Sequence, residues 1–364
     1  MPISPARAKL VGLPAAVTHN GSSGCTGEGY VRTRIGRPVP LDLASLVAGD
    51  RLERGRDAPA LLAGATTIAM EYSPNNDIPY ISRVDAGTID LLRSLGKTIV
   101  SSGDLVGQFE AAWHEAEIAT HVAASEALYR IKDRAFAYVA ARLRAGDAIN
   151  EYQVQQEMVG YFKEEGLVAD SAPIVGAQEN AGDPHYIPSK DLFRPIRPNE
   201  VLLLDLWGKH TTPGAVYADI TWCGFTGETP TPEIAAAFAT IVAGRDAAIA
   251  KVQDGIASGA GVRGWEVDRV CRDVITAAGY GDFFVHRTGH SLGTEVHGNG
   301  VHMDDYETRD VRKLLPGTGF TIEPGIYTKA FGVRTEINMV VGAQRATVTG
   351  PCQQTLVCMS GVTS

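Results

Sequence analysis

Four acidic residues stand inside or beside runs that otherwise read as buried strands, and their placement limits this chain more than any other feature. Asp205 lies in Leu202-Leu203-Leu204-Asp205-Leu206, and Asp219 in Tyr217-Ala218-Asp219-Ile220-Thr221. Glu323 follows Thr321-Ile322, and Glu336 sits between Thr335 and Ile337. Apolar, β-branched runs with turn residues nearby form strands. A carboxylate inside such a run is costly unless it is paired or bound to a metal. The cations in those runs are Arg334 and Lys209, too few for four separate ion pairs. His290, flanked by Gly289 and Gly293, falls between the two Asp and the two Glu. One imidazole with four carboxylates is a hard, oxygen-rich donor set. It suits Mn, Co or Zn in a two-metal arrangement better than it suits a thiolate zinc site.

The rest of the chain excludes several classes. At 364 residues it is long enough for a large core in two domains. With 33 basic and 42 acidic residues the net charge is −9, and no basic cluster invites nucleic acid. No apolar run reaches the length of a membrane span, and the N-terminus lacks a basic start with an apolar core behind it. Cys25, Cys223, Cys271, Cys352 and Cys358 are odd in number and fit no zinc spacing. Cys352 and Cys358 could pair, but reduced thiols in a cytoplasmic enzyme are the reading adopted.

Along the chain, residues 1–40 are rich in Gly, Pro, Ser and Thr and read as loop. A short helix is expected over 41–62, a strand over 66–74, a helix over 88–95 stopped at Gly96, and a strand at Thr98-Ile99-Val100. The spacing then predicts one long helix over 109–144 and a second over 151–165, with Tyr152, Met158, Val159 and Phe162 on one face. A faint repeat appears on shifting the chain by 113 residues. Gly146 then meets Gly259, Ile149 meets Val262, Tyr152 meets Trp265, Phe162 meets Ile275 and Gly166 meets Gly279. Two such copies, each feeding strands, imply a pseudo-twofold domain. The strands are expected at 171–176, 201–207, 221–225, 319–322 and 337–341, so the ligands would converge on a sheet.

In this order and these contexts, Asp205, Asp219, His290, Glu323 and Glu336 resemble the ligands of the pita-bread metallopeptidases: methionine aminopeptidase, aminopeptidase P and prolidase. Gly289-His290-Ser291-Leu292-Gly293-Thr294-Glu295-Val296-His297 and Glu323-Pro324-Gly325-Ile326-Tyr327 look like the proline-specific branch. The resemblance covers about residues 66 to 348. It implies an α/β (α+β) protein with a C-terminal pita-bread (creatinase/aminopeptidase-like) domain over 109–364, built on the pseudo-twofold repeat. A small, shortened α/β N-terminal domain would occupy 1–108. Two departures stand out. The Asp–Asp spacing of 14 is wide for the family, which suggests an insertion in a turn over 209–215, and Trp222 stands where an Arg commonly follows the second Asp.

The resemblance also implies roles. Asp205 would hold one metal, Asp219 and Glu336 would bridge the pair, and His290 and Glu323 would complete the second. Glu323 would also be the general base. His297 matches the His that hydrogen-bonds the substrate carbonyl, while His185 and His286 match pocket histidines. Arg334, two residues before Glu336 and therefore on the same strand face, would meet either the substrate's carboxylate or a ligand carboxylate. The implied activity is hydrolysis of the Xaa-Pro bond in dipeptides by two divalent ions, manganese first and cobalt or zinc next. The alternatives are an aminopeptidase P acting on longer peptides and a non-catalytic pita-bread binding protein. An Xaa-Pro peptide is the expected partner and a homodimer the expected assembly, with no nucleic acid and no membrane.

Overall fold

A computed structural model describes residues 29–32, 38–41, 62 and 64–361. The helix expected over 41–62 lies, apart from its end residues, outside them. Within the stretch read as loop, Gly29–Arg32 (β1) and Pro38–Leu41 (β2) pair antiparallel. Pro38 and Pro40 alternate along β2, so Val39 and Leu41 supply its donors, an arrangement an edge strand tolerates.

The chain divides into two compact units, Met1–Val106 and Gly107–Ser364. In the first, Thr67–Met70 (β3) and Thr98–Ser101 (β4) pair in parallel and Ala86–Ser94 (α1) connects them. Asp85 caps α1 by accepting from Thr88 N at 2.9 Å, and Gly96, at φ 71°, turns the chain out of it. Ile68, Met70, Ile89 and Leu92 form the small core.

The long helix expected from residue 109 is broken. Gly103–Glu110 (α2) stops, and Glu115–Arg144 (α3) begins after a new N-cap at His114. Trp113 N donates to Gly317 O at 2.7 Å. Its indole lies against Gly319, where any Cβ would fall 1.9 Å from a ring carbon. This tertiary contact pulls residues 111–114 out of the helix although no Pro or Gly marks the break. Further along α3, buried His121 bonds Tyr217 O through Nδ1 at 2.7 Å and Thr349 Oγ1 through Nε2 at 2.8 Å.

The 113-residue shift holds in three dimensions. α3 ends at Arg144, and Glu151–Glu164 (α4) follows. Leu167–Val168 (β5), Ile174–Ala177 (β6), Val201–His210 (β7) and Ala218–Phe225 (β8) come next. Pro232–Ala257 (α5) ends 113 residues after α3, and Gly264–Ala277 (α6) matches α4 residue for residue. α4 opens with a capping box, Asn150 with Gln153, and α6 keeps half of it, Arg263 N donating to Glu266 Oε2 at 2.9 Å. The paired glycines 146 and 259, and 166 and 279, all have positive φ. After α6 come Ser291–Leu292 (β9), Gly319–Ile322 (β10), Gly325–Tyr327 (β11), Gly332–Arg334 (β12), Ile337–Val341 (β13), Ala346–Val348 (β14) and Val357–Cys358 (β15).

In the first half β7 lies between β8 and the pair β5 and β6, all antiparallel, with β15 added in parallel to β8. The second half orders β14-β13-β10-β9, also antiparallel. Along β7 and β8 the even-numbered residues Leu202, Leu204, Leu206, Ala218 and Ile220 pack with α3 and α4. The odd-numbered Val201, Leu203, Cys223 and Phe225 pack with the second half. Asp205 and Asp219 are odd, so the alternation aims both at the face shared by the halves. Residue 209, expected in the turn, belongs to β7, which runs on to His210. Among the described residues no helix is long and apolar enough to cross a membrane.

Candidate metal centre

The β7–β8 register sets Asp205 opposite Thr221 and Trp207 opposite Asp219. The second half docks onto this shelf through a backbone bond, Glu336 N donating to Thr221 O at 3.0 Å, and within that half Glu323 N donates to Thr288 O at 2.7 Å. One ligand atom each from Asp219, His290 and Glu336 lie within 4.8 Å of one another. His290 Nε2 is 3.6 Å from Asp219 Oδ2 and 3.4 Å from Glu323 Oε1. Its Nδ1 lies 3.1 Å from Ser291 O, which fixes the tautomer with the proton there and leaves the Nε2 lone pair for a metal. Asp205 adjoins this group: Thr221 Oγ1 is 3.1 Å from Asp205 Oδ1 and 2.7 Å from Glu336 Oε2. The five residues expected as ligands therefore border one buried space.

The electrostatics of that space call for cations. Asp219 Oδ1 and Glu336 Oε1 are buried with no hydrogen-bond partner among the described residues. Burial, and then the charges of the neighbouring carboxylates, push Asp219 and Glu336 well above the ordinary carboxylate range. Burial raises Asp205 too, against the opposing pull of Arg334. Burial also disfavours charge on Glu323, but His290, His286, Arg334 and Arg287 together hold its carboxyl below the usual range. Orphaned carboxylate oxygens facing a free imidazole lone pair are the environment a hard divalent cation fits.

The other residues singled out by sequence divide into two groups. Arg334 is buried and committed inward: Nη2 pairs with Asp205 Oδ2, Nε donates to Thr221 Oγ1 at 2.9 Å, and Nη1 donates to Tyr327 OH at 3.1 Å. Of its two expected partners, the structure gives it the ligand carboxylate. His286 bonds Tyr327 OH through Nε2 at 2.7 Å. His297 stacks edge-on against His290 with centroids 4.4 Å apart. Desolvation there, with His290 and Arg287 alongside, pushes its imidazole down to about 4, so the ring is neutral at neutral pH. His185 is exposed, and its backbone N donates to Asp183 Oδ1 at 2.9 Å.

Four residues that hold the site were not singled out by sequence. Thr221 bridges Asp205 and Glu336, and Thr321 Oγ1 donates to Glu323 Oε1 at 3.0 Å while accepting from His290 N at 2.9 Å. Asn338 bonds the backbone of Asp219 on both sides, through Oδ1 and Nδ2. Tyr327 joins Arg334 to His286. Thr221, Thr321, Arg334 and Asn338 each lie two residues from a ligand on the same strand segment, and that period of two is the signal that finds them.

Comparison with known proteins gives the following. The model of metallopeptidase family M24 matches residues 124–343. An Xaa-Pro dipeptidase of Lactobacillus delbrueckii subsp. lactis is 35% identical over 171 residues, 45% of this chain and 40% of that protein, so the match spans well under two thirds of the relative. Two solved structures show a similar fold at 24% identity and a TM-score of 0.59. They are an X-Pro aminopeptidase from Thermotoga maritima MSB8, covering 85% of this chain and 80% of its own, and dipeptidase PepE from Mycobacterium ulcerans, covering 95% and 93%.

Proposed function

Since the chain belongs to metallopeptidase family M24 and has its pita-bread fold, we propose that it is a metal-dependent exopeptidase that hydrolyses the Xaa-Pro bond of dipeptides. The observation that carries the reading is the pair of buried, unpartnered oxygens, Asp219 Oδ1 and Glu336 Oε1, converging with His290. Asp205, Asp219, His290, Glu323 and Glu336 would hold two divalent ions, with manganese first and cobalt or zinc as the alternatives. When bound, such ions supply Lewis acidity: a nucleophilic water at neutral pH and polarisation of the scissile carbonyl.

The protein groups do the rest. Glu323, kept ionised by the histidines and arginines around it, takes the water's proton on the carboxylate oxygen that Thr321 does not bind. Neutral His297 donates an N–H to the carbonyl oxygen as charge develops on it. Arg334 and Thr221 hold Asp205 in place, as supporting contacts around a metal ligand do. His185 and His286 flank the substrate.

The dipeptide preference is supported by the Lactobacillus relative's activity. The runner-up, removal of a residue ahead of proline from longer peptides, follows from the same centre. Turnover of Ala-Pro and Ala-Pro-Ala by manganese-loaded protein, with metal content measured alongside, tests both. Higher kcat/KM on Ala-Pro and about two ions per chain are expected. Better turnover of the tripeptide would make the protein an aminopeptidase P, and full activity in excess chelator would end the metallopeptidase reading.

A further inference from the structure

Trp207 lies two residues beyond Asp205 on β7, so the two side chains share a face. Its indole packs against two core clusters and is half-buried, while Nε1 donates to Asp170 Oδ1 at 2.6 Å. β5 pairs antiparallel with β7, Val168 opposite Lys209. Beyond Val168 the chain bends before β6, which sets Ile174 opposite Asp205, and Asp170 lies in that bend. Trp207 stands opposite Asp219, so its indole ties Asp170 to the face that carries the proposed metal ligands.

Asp170 is exposed, and its charge acts on both Asp219 and His297. It adds negative charge beside a cluster that already has too much, and no cationic side chain pairs with it among the described residues. A carboxylate oriented by a fixed indole N–H and left without a cation is a receptor for one. In a peptide whose scissile carbonyl sits at those ligands, the α-nitrogen of the first residue is only two bonds from the carbonyl carbon, so it lies beside the face that Trp207 and Asp219 share.

We propose that Asp170, aimed by Trp207, binds the α-ammonium group of the substrate's N-terminal residue and so confines the protein to peptides with a free N-terminus. This rests on the exopeptidase reading above. Trp207 is the positioning residue and Asp170 the group that touches substrate.

The test uses the metal-loaded protein, Asp170→Asn and Trp207→Phe, with Ala-Pro and with propionyl-proline, which lacks the amine. Asp170→Asn keeps an acceptor for the indole and removes the charge. Its ratio of kcat/KM on Ala-Pro to that on propionyl-proline should fall about ten- to a hundredfold, through KM, the scale of a charge-assisted hydrogen bond. Trp207→Phe should lower the ratio about fivefold, the scale of one hydrogen bond.

A second arm does not depend on turnover: saturation-transfer NMR with cationic L-alaninamide and neutral propionamide. The wild type should favour alaninamide, and Asp170→Asn should not. An equal substrate ratio in wild type and Asp170→Asn overturns the anchor and leaves the dipeptidase reading standing. Loss of alaninamide preference in a protein that cleaves no Xaa-Pro peptide upholds the anchor and sinks that reading. Loss of bound metal in Asp170→Asn would make Asp170 a ligand and also overturn the proposal.

Discussion

In the first half of the repeat the proposed metal ligands sit within a continuous hairpin: Asp205 on β7 and Asp219 on β8, each flanked by residues paired across the sheet. In the second half they sit at strand ends. His290 precedes β9, Glu323 falls between β10 and β11, and Glu336 falls between β12 and β13. From the end of the first helix through the second, the helix pairs above them keep one numbering, because caps and left-handed glycines set those limits locally. The strands below diverge because they answer to the site. A hairpin offers two carboxylates at fixed spacing, whereas ligands at turns can be brought in close. Gly289 shows the difference, since a Cβ there would lie 2.0 Å from Thr321 O. The first half is thus a shelf for charge, and the second carries the groups proposed to move protons.

The largest test of that division is Glu323→Gln. It should lower kcat by about 10²–10⁴-fold, the range of a lost general base, measured at saturating metal so that occupancy does not confuse the result. A loss confined to metal affinity would put proton transfer elsewhere and break the comparison.

Acid should also act on the scaffold of the first half, through one buried imidazole. α3 carries buried His121, and the matching position on α5 is Ile234. Burial pushes His121 from 6.5 down to about 4. Above pH 6.5 the imidazole is neutral both folded and unfolded. Below it the unfolded chain takes up a proton that the folded one refuses, until about pH 4. Stability should therefore fall by about 3 kcal/mol across that window and no further below it on this group's account. Urea unfolding at pH 7.5, 5.5 and 4 checks this, and His121→Gln should flatten the slope.

Thr221→Val tests the shelf itself. Removing the hydroxyl between Asp205 and Glu336 should weaken metal binding by about 10–100-fold, read by competition with a chelating dye. Unchanged affinity would mean that the hairpin and Arg334 fix Asp205 without the hydroxyl.

The smallest effects compare the scaffolds. Gly146, at φ 75°, and Gly259, at φ 72°, have nothing within 4 Å of the place a Cβ would take. Alanine at either should cost about 1–2 kcal/mol of stability, from backbone conformation alone. Unequal costs, measured by thermal unfolding, would show that the two helix ends differ in more than sequence.

Much of this was legible in the residues. Acids in apolar runs marked the ligand strands, and the glycine pairs marked the helix repeat. Both signals are local, a hydrophobic period and a turn requirement. The break before α3 left no mark because it is made by Trp113 meeting Gly317 and Gly319, two hundred residues on in the chain. The inward commitment of Arg334 was one of two open choices, since strand period gives the face of a side chain and not its partner. The wide Asp–Asp spacing points to an insertion in a turn from Lys209, but β7 extends beyond its apolar run and the turn begins after His210.

The docking of Glu336 onto Thr221 also sets an order in time. The two residues, bonded at 2.7 Å, are 115 positions apart. A ribosome adding about 5–20 residues per second needs roughly 6–23 s to make that stretch. For that interval the β7–β8 hairpin exists without the strands that complete its site. Its two aspartates must wait in water, or protonated, while the remaining ligands are being synthesised. On the reading proposed above, metal capture is a late event in the birth of the chain, since a product ending between Phe225 and Glu336 carries both aspartates of the shelf and lacks Glu336.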